Sequence, residues 1–329
     1  MATLTYSTQA GTLAFGANTA AQTLTLAIPR SRWIRRIRMI GEAVVATVGT
    51  SPNALTLPRL LANISLKADG NTSIFDVSGE DLYQINIRDY KTSTLSDGTI
   101  SAQTTYRQEW VLDSALEPKN DQDFRALIPA FSFNTFDLVC NSNTTLVAAG
   151  NGDTVLTSFT VYVVVEEVHM DSNEAASMYG SDLKGLYKIL INHKDAAIAV
   201  ANSGYTGEID VQPGYVISKL LLRTSDTTTL TAVSVDDLIT SYKIDQTGLK
   251  GNFVWDEQRW RDSKKQDTMQ HSMYLESAML GSIVYDAISS VGGLDARGMK
   301  QGDLKIKYNN TDTSCAYHLT QVNIVVPGN

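Results

Sequence analysis

The sequence has only two cysteines, seven prolines and four histidines among 329 residues. Cys140 and Cys315 are too few for a disulfide framework and fit a reduced compartment, each reading as a small buried hydrophobe. The histidines, His169, His193, His271 and His318, stand far apart and none opens an HExxH pattern, so they read as polar surface or turn positions. Long apolar runs are missing too: Val161–Val165 and Ala196–Ala201 fall far short of a bilayer span. The opening MATLTYSTQAGTLAFG has neither a basic nor a continuous apolar region, which predicts no secretory signal and a soluble protein made in a cytoplasm.

Catalytic patterns are equally scarce. There is no GxSxG elbow and no GxxxxGK[ST] loop, and GGLDARG (Gly292–Gly298) lacks the lysine and hydroxyl of a phosphate loop. Asn120, Asp121 and Asp123 in NDQD offer hard oxygens to one cation, but without EF-hand spacing. A turn with solvated carboxylates is the plainer reading, as for Asp236 and Asp237. Asn63, Asn71, Asn143 and Asn309 open N-x-S/T triplets, which read as coincidence in a Thr- and Asn-rich chain without a signal. The expectation is a structural protein, not an enzyme, with no cofactor and no metal.

Charged residues make up only 19 % of the chain, and polar uncharged residues that suit strand faces and turns take their place. Short β-type segments recur between turn signals: Thr23–Ile28, Arg32–Ile40, Glu42–Val48, Ala62–Ala68, Ser73–Val77, Ser132–Cys140 and Ser158–Val168. The second half continues with Glu208–Gln212, Tyr215–Arg223, Thr228–Val235, Leu238–Ile244, Asn252–Trp255, Asp303–Tyr308 and Tyr317–Val326. Helical candidates are Asp171–Leu186, capped by Asp171 or Ser172, and short pieces near EWVLDSAL and TMQHSMYLESAML. The order of elements repeats. TLTLAIPRSRWIRRIRMI aligns with EIDVQPGYVISKLLLR, each a strand, a proline and an aromatic opening a second strand, and FDLVCNSNTT aligns with LKIKYNNTDT. A duplicated architecture follows, with its boundary between His169 and Lys188.

One stretch stands against the acidic background. PRSRWIRRIRMIG places Arg30, Arg32, Arg35, Arg36 and Arg38 within nine residues of a chain whose net charge is −8, so the rest of the chain carries −13. Strand alternation puts Trp33, Arg35, Ile37 and Met39 on one face and Ile34, Arg36, Arg38 and Ile40 on the other. The arginines either contact a neighbouring subunit or a phosphate-bearing membrane surface, or form a solvated face with internal ion pairs. Sequence-specific nucleic-acid reading is not expected, because no helix-turn-helix, zinc-finger or RNA-recognition pattern accompanies them.

Pro58–Phe75, Arg125–Thr145 and the closing FTVYVVVEEV, with the counterparts PGYVISKLLLR, DLKIKYNNTDT and LTQVNIVV, carry a resemblance over nearly the whole chain. It resembles the double jelly-roll major capsid proteins of tailless icosahedral viruses with an internal membrane, such as the tectivirus, corticovirus and finnlakevirus families. The resemblance implies an all-β fold: two tandem eight-stranded jelly-roll β-sandwiches with a few short helices, residues 1–170 forming the first roll, 171–188 a linker and 189–329 the second. It implies a homotrimer presenting six wedges as a pseudo-hexameric capsomer in the virion. Minor capsid proteins and the internal membrane are the further partners. Tower loops would fall in Tyr90–Asn120 and Glu257–Gly302, with the arginine strand nearer neighbours or lipid. Two other readings compete. A carbohydrate- or receptor-binding sandwich would expose Tyr106, Trp110, Trp255 or Trp260. A cupin-type enzyme would need clustered histidines, which the sequence does not offer.

Overall fold

The computed structural model describes residues 4–17, 21–48, 56–90, 96–118, 120–143, 154–179, 187–198, 201–226, 239–246, 253–254, 282–286, 294–310 and 315–325. The chain divides into two compact units, Met1–Leu190 with Val325–Asn329, and Ile191–Ile324.

The first unit is built from β1 (Leu4–Ala14), β2 (Thr23–Ala27), β3 (Trp33–Thr47), β4 (Leu61–Ala68), β5 (Thr72–Val77), β6 (Thr105–Asp113), β7 (Ile128–Pro129), β8 (Phe136–Ser142) and β9 (Val155–His169). One sheet runs β1-β9-β3-β6, with the short β7 on β3, and the other runs β5-β4-β8-β2. All the described pairings are antiparallel. Without β7, eight strands in two four-stranded sheets, interleaved in this order, make a jelly roll. The alternation that defines the sandwich is plain in β8, where Phe136, Leu138 and Cys140 are buried while Asp137, Val139 and Asn141 are partly exposed. Burial pushes the Cys140 thiol up to about 12, so it packs as an inert hydrophobe. Cys315 lies outside the residues whose side chains are described.

Arg32–Ile40 and Glu42–Val48, read from sequence as two strands, form the single fifteen-residue β3. Gly41 marks an approach instead of a break. A Cβ there would lie 2.7 Å from Trp110 Cζ3 and 2.9 Å from Phe159 Cε2, so the missing side chain lets both rings close over the strand. The two rings meet edge-on at 6.4 Å, and Phe159 stacks on Phe15 at 5.3 Å, forming the aromatic centre of the roll.

EWVLDSAL, expected as helical, is extended: its first five residues lie in β6. Alternation within a buried edge strand and helical periodicity are hard to separate over so short an apolar run. The helix lies earlier, in α1 (Gly79–Tyr90). Its start is set by Ser78, whose Oγ accepts from the Asp81 N–H at 3.1 Å and donates to Asp81 Oδ2 at 2.8 Å. The helix seals the outer edge of β6. The Asn86 Nδ2 donates to Val111 O at 2.8 Å, and the Val111 N–H donates to Asn86 Oδ1 at 2.7 Å, so one side-chain amide imitates a neighbouring strand. Further along, the Arg107 N–H donates to Asp97 Oδ2 at 2.6 Å and the Asp97 N–H to Arg107 O at 3.0 Å.

After α2 (Ser172–Tyr179) and β10 (Tyr187–Ile198), the second unit contains β11 (Asn202–Asp210), β12 (Val216–Asp226), β13 (Ile239–Gln246), β14 (Phe253–Val254), β15 (Ser282–Asp286), β16 (Leu294–Asp295), β17 (Leu304–Asn310) and β18 (Cys315–Val325). The predicted Asp171 cap is present, its Oδ1 accepting from the Asn173 and Glu174 N–H groups at 2.9 and 2.8 Å. The expected continuation to Leu186, the strand Thr228–Val235 and the helix near TMQHSMYLESAML lie outside the described residues. The sheet orders are β15-β12-β18, with β16 on β12, and β11-β17-β13-β14. These repeat the interleaving of the first unit, and the fold is all-β, two jelly rolls in tandem. Of the expected tower segments, Tyr90–Asn120 contains β6, while much of Glu257–Gly302 lies outside the described residues.

Replacing Gly41 by valine drives methyl groups into the Trp110 and Phe159 rings. The expected cost is about 3 kcal/mol, read as a lowered urea midpoint; an unchanged midpoint would contradict the packing.

Candidate functional site

The arginine strand starts where β3 meets β9 and β7. Trp33 lies opposite Val168 and Ile34 opposite Glu167, and then the register slips so that Arg36 faces Glu166. Arg35 is the extra residue of this bulge. The slip buries Ile34 and Arg35 in succession, a departure from the strict alternation expected of the sequence. Ser114 fixes the bulge by donating its N–H and its hydroxyl to Arg35 O at 2.9 and 2.8 Å.

Arg35 is 2 % exposed, and its guanidinium meets no carboxylate in the described contacts. It donates to three backbone carbonyls, those of Asn120 at 2.8 Å, Asp121 at 2.8 Å and Asp123 at 3.0 Å, with the Phe124 ring 5.8 Å from its centre. The NDQD turn therefore does gather oxygens around a cation, and the cation is an arginine of the same chain. Its carboxylates are used otherwise. Asp123 accepts from the Glu117 N–H at 2.7 Å and from Arg125 Nε at 2.7 Å, while Asp121 stays exposed. Burial alone would raise the Asp123 pKa, but the Arg125 hydrogen bond and the N–H groups of Glu117 and Arg125 outweigh it and hold the carboxyl below its ordinary value.

Arg36 points to the other face and is framed by acids on both neighbouring strands. Asp113 on β6 and Glu166 on β9 lie directly across from it in the ladder. Its Nε donates to Asp113 Oδ2 at 2.8 Å and its Nη1 lies 3.3 Å from Glu166 Oε2. Tyr90, the last residue of α1, covers the pair with its ring 5.3 Å from the guanidinium and donates its hydroxyl to Asp113. Burial and the Asp113 carboxylate push the Tyr90 phenol well above its ordinary pKa. Burial disfavours the charged Arg36, yet Tyr90, Asp113 and Glu166 together hold its pKa above the ordinary value.

The remaining three are less enclosed. Arg32 pairs with Glu167 at 3.3 Å and lies over the Tyr6 ring at 4.5 Å. Arg38 pairs with Glu109 at 2.6 Å, and Arg30 donates to the Phe133 carbonyl at 2.7 Å and to the Asn134 carbonyl. All five arginines thus have partners inside the chain. Sequence reading located the cations but not Asp113, Glu166, Glu167 and Tyr90. The available signal was EE interrupting the otherwise apolar β9: charge in a buried strand requires a counter-charge.

The aromatic candidates separate from this site. Trp110 is fully buried, its Nε1 donating to Gly79 O at 3.0 Å, and Tyr106 is buried with its hydroxyl accepting from the Ser101 and Ala102 N–H groups. Neither offers a ring to a sugar, and Trp255 and Trp260 lie outside the described residues. Among the described residues no three His, Cys, Asp or Glu side chains gather to hold a metal ion, and no helix is long and apolar enough to cross a membrane.

Arg35→Met should cost about 3 kcal/mol, because it takes the donor from three peptide carbonyls, the Asp123 contact among them buried; a urea midpoint equal to wild type would contradict this. For Asp123, the folded pKa lies below the unfolded value near 3.8, so its contribution is present above that pH and is lost as pH falls through the folded pKa. Asp123→Asn is expected to lower stability at pH 7 and to flatten its decline below about pH 4. Urea midpoints at the two pH values decide it, an unaltered acid slope being the contrary result.

No protein-family model matches the chain, and no curated protein matches it significantly. Solved structures do. The major capsid protein of Sulfolobus Turreted Icosahedral Virus matches with a TM-score of 0.72 at 18 % identity over 99 % of this chain and 98 % of that one. A chain of the PBCV-1 virus capsid matches at 0.63 and 12 % identity over 98 % and 94 %. The major capsid protein P2 of bacteriophage PM2 matches at 0.56 and 12 % identity over 99 % of both chains. The protein has the double jelly-roll fold of these viral capsid proteins.

Proposed function

We propose that this chain is a structural major capsid protein, which trimerises into pseudo-hexameric capsomers that tile an icosahedral shell over an internal membrane. The observation that carries the reading is the match of two complete rolls, end to end, with a viral major capsid protein of nearly the same extent, 99 % of one chain on 98 % of the other. Two similar rolls in one chain let three chains present six similar wedges, which a closed three-fold ring then fixes in place. On this reading the first roll is 1–170, the linker 171–188 and the second roll 189–329. The chain acts by self-association, without catalysis, in the virion.

The arginine strand serves this role in two ways. Arg35 and Arg36 hold the first roll together from within. Arg32 and Arg38, with side chains 37 % and 42 % exposed, and the exposed Arg30 are where contacts to a neighbouring subunit, a minor capsid protein or the membrane fall. A sugar-binding role is disfavoured by the burial of Trp110 and Tyr106.

Light scattering after size-exclusion chromatography tests the reading. Three chains of 35.9 kDa give a particle of about 108 kDa. A monomer at every concentration and salt level would sink it.

A further inference from the structure

The two outer strands of the first sheet are treated in opposite ways. β6 is closed by the Asn86 amide and by Asp97. β1 is left open, being the end strand of its sheet, and no described residue pairs with its outer edge.

Its N-terminal half is exposed on both faces. Thr5, Tyr6, Ser7, Thr8 and Gln9 are exposed in succession; among the described residues β9 is the strand that pairs with the stretch, and Arg32 lies over the Tyr6 ring. The direction of its peptide groups follows from the ladder. The Phe15 N–H donates to Phe159 O at 2.8 Å, which sets every second residue of β9, through Val161, Val163, Val165, Glu167 and His169, facing β1. Beyond the bulge between Gln9 and Gly11, their partners are Thr8, Tyr6 and Leu4. Thr5, Ser7 and Gln9 therefore turn their N–H and C=O groups outward.

Proteins ordinarily guard such an edge with charge or proline. Leu4–Ala14 has neither. Its residues are Thr, Ser, Gln, Tyr, Leu, Ala and Gly, a neutral strand on a chain of net charge −8, with its bulge beyond the open stretch. An acidic protein can bring a second copy of itself against a neutral edge without opposing like charges, and the backbone ladder supplies the register.

We propose that the free edge Thr5–Gln9 takes an extended strand of a second copy of this chain, continuing the sheet across the boundary between subunits. The proposal rests on the shell-protein reading. In a ring of three the contact is head-to-tail, so the strand received comes from a different edge of the neighbour and not from its own β1.

Ser7→Pro removes an outward N–H while leaving every β1–β9 bond in place, because proline is tolerated where its missing donor faces away from the ladder. Light scattering is expected to show wild type as a trimer and the variant as a monomer at the same concentration, with its urea midpoint retained. A variant that stays trimeric overturns the proposal. Residue-resolved hydrogen exchange on the wild-type assembly gives an answer independent of the variant's folding. The amides of Thr5, Ser7 and Gln9 should exchange at least about tenfold more slowly in the assembly than in dissociated chains, whereas Tyr6 and Thr8 are protected in both. A trimer in which Thr5, Ser7 and Gln9 exchange fast overturns the edge alone. A wild-type chain that never associates overturns both the edge and the shell reading.

Discussion

A guanidinium inside a β-sandwich must be surrounded by oxygen before the apolar layers can close, and the first roll is organised around two such groups on neighbouring residues of β3. Arg35 faces one side of the sheet, where its two terminal nitrogens donate to three peptide carbonyls; Arg36 faces the other and meets carboxylates on both flanking strands. Strand alternation sends the two side chains to opposite faces, and the register shift at Arg35 brings Arg36 opposite Glu166. Burial penalises each charge heavily, so the arrangement works only when every partner is in place. The pairs therefore specify register as much as they add stability. Slipping β3 by one residue against β9 would bring Arg36 away from Glu166 and move the apolar set to the wrong face.

The carbonyl cradle around Arg35 also explains the shape of the 117–125 segment. A loop that turned inward without a donor would bury bare C=O groups. Here the same cation serves three of them, while Arg125, Asp123 and Glu117 tie the outer side together. The helix α1 meets the same requirement by different means. Its buried Asn86 pairs with Val111 in place of the strand neighbour that β6 lacks on that side, while Glu80 pairs with Arg59 in the turn before β4.

Much of this architecture was legible in the sequence because strand alternation and turn chemistry are local. The β4–β5 hairpin around Ala68–Thr72, the closing strand β9 and the tandem order of elements could be read from short windows. The arginine stretch was legible as a strand and as a charged anomaly, but its partners were not, because Asp113 and Glu166 lie 77 and 130 residues further on. The helix α1 escaped notice for a related reason. GEDLYQINIRDY has no apolar stripe against a polar one, since several of its polar side chains, Glu80, Asp81, Gln84 and Asn86 among them, are buried. EWVLDSAL failed in the opposite direction, its short apolar run fitting two periods equally well. Gly41 looked like a boundary because the reason for its small size, two rings from β6 and β9, is tertiary.

The position of β9 has a consequence in time. It lies between β1 and β3 and pairs with both, yet it is the last strand of its roll to leave the ribosome. Until residue 169 has emerged, β1 has no partner in its sheet and Arg36 lacks its Glu166. The first sheet thus waits for β9 before it can be completed, and bringing β1 and β3 onto that strand carries the entropy cost of closing long loops. Completion of the first sheet therefore depends on a partner far along the chain and not on local helix or turn formation.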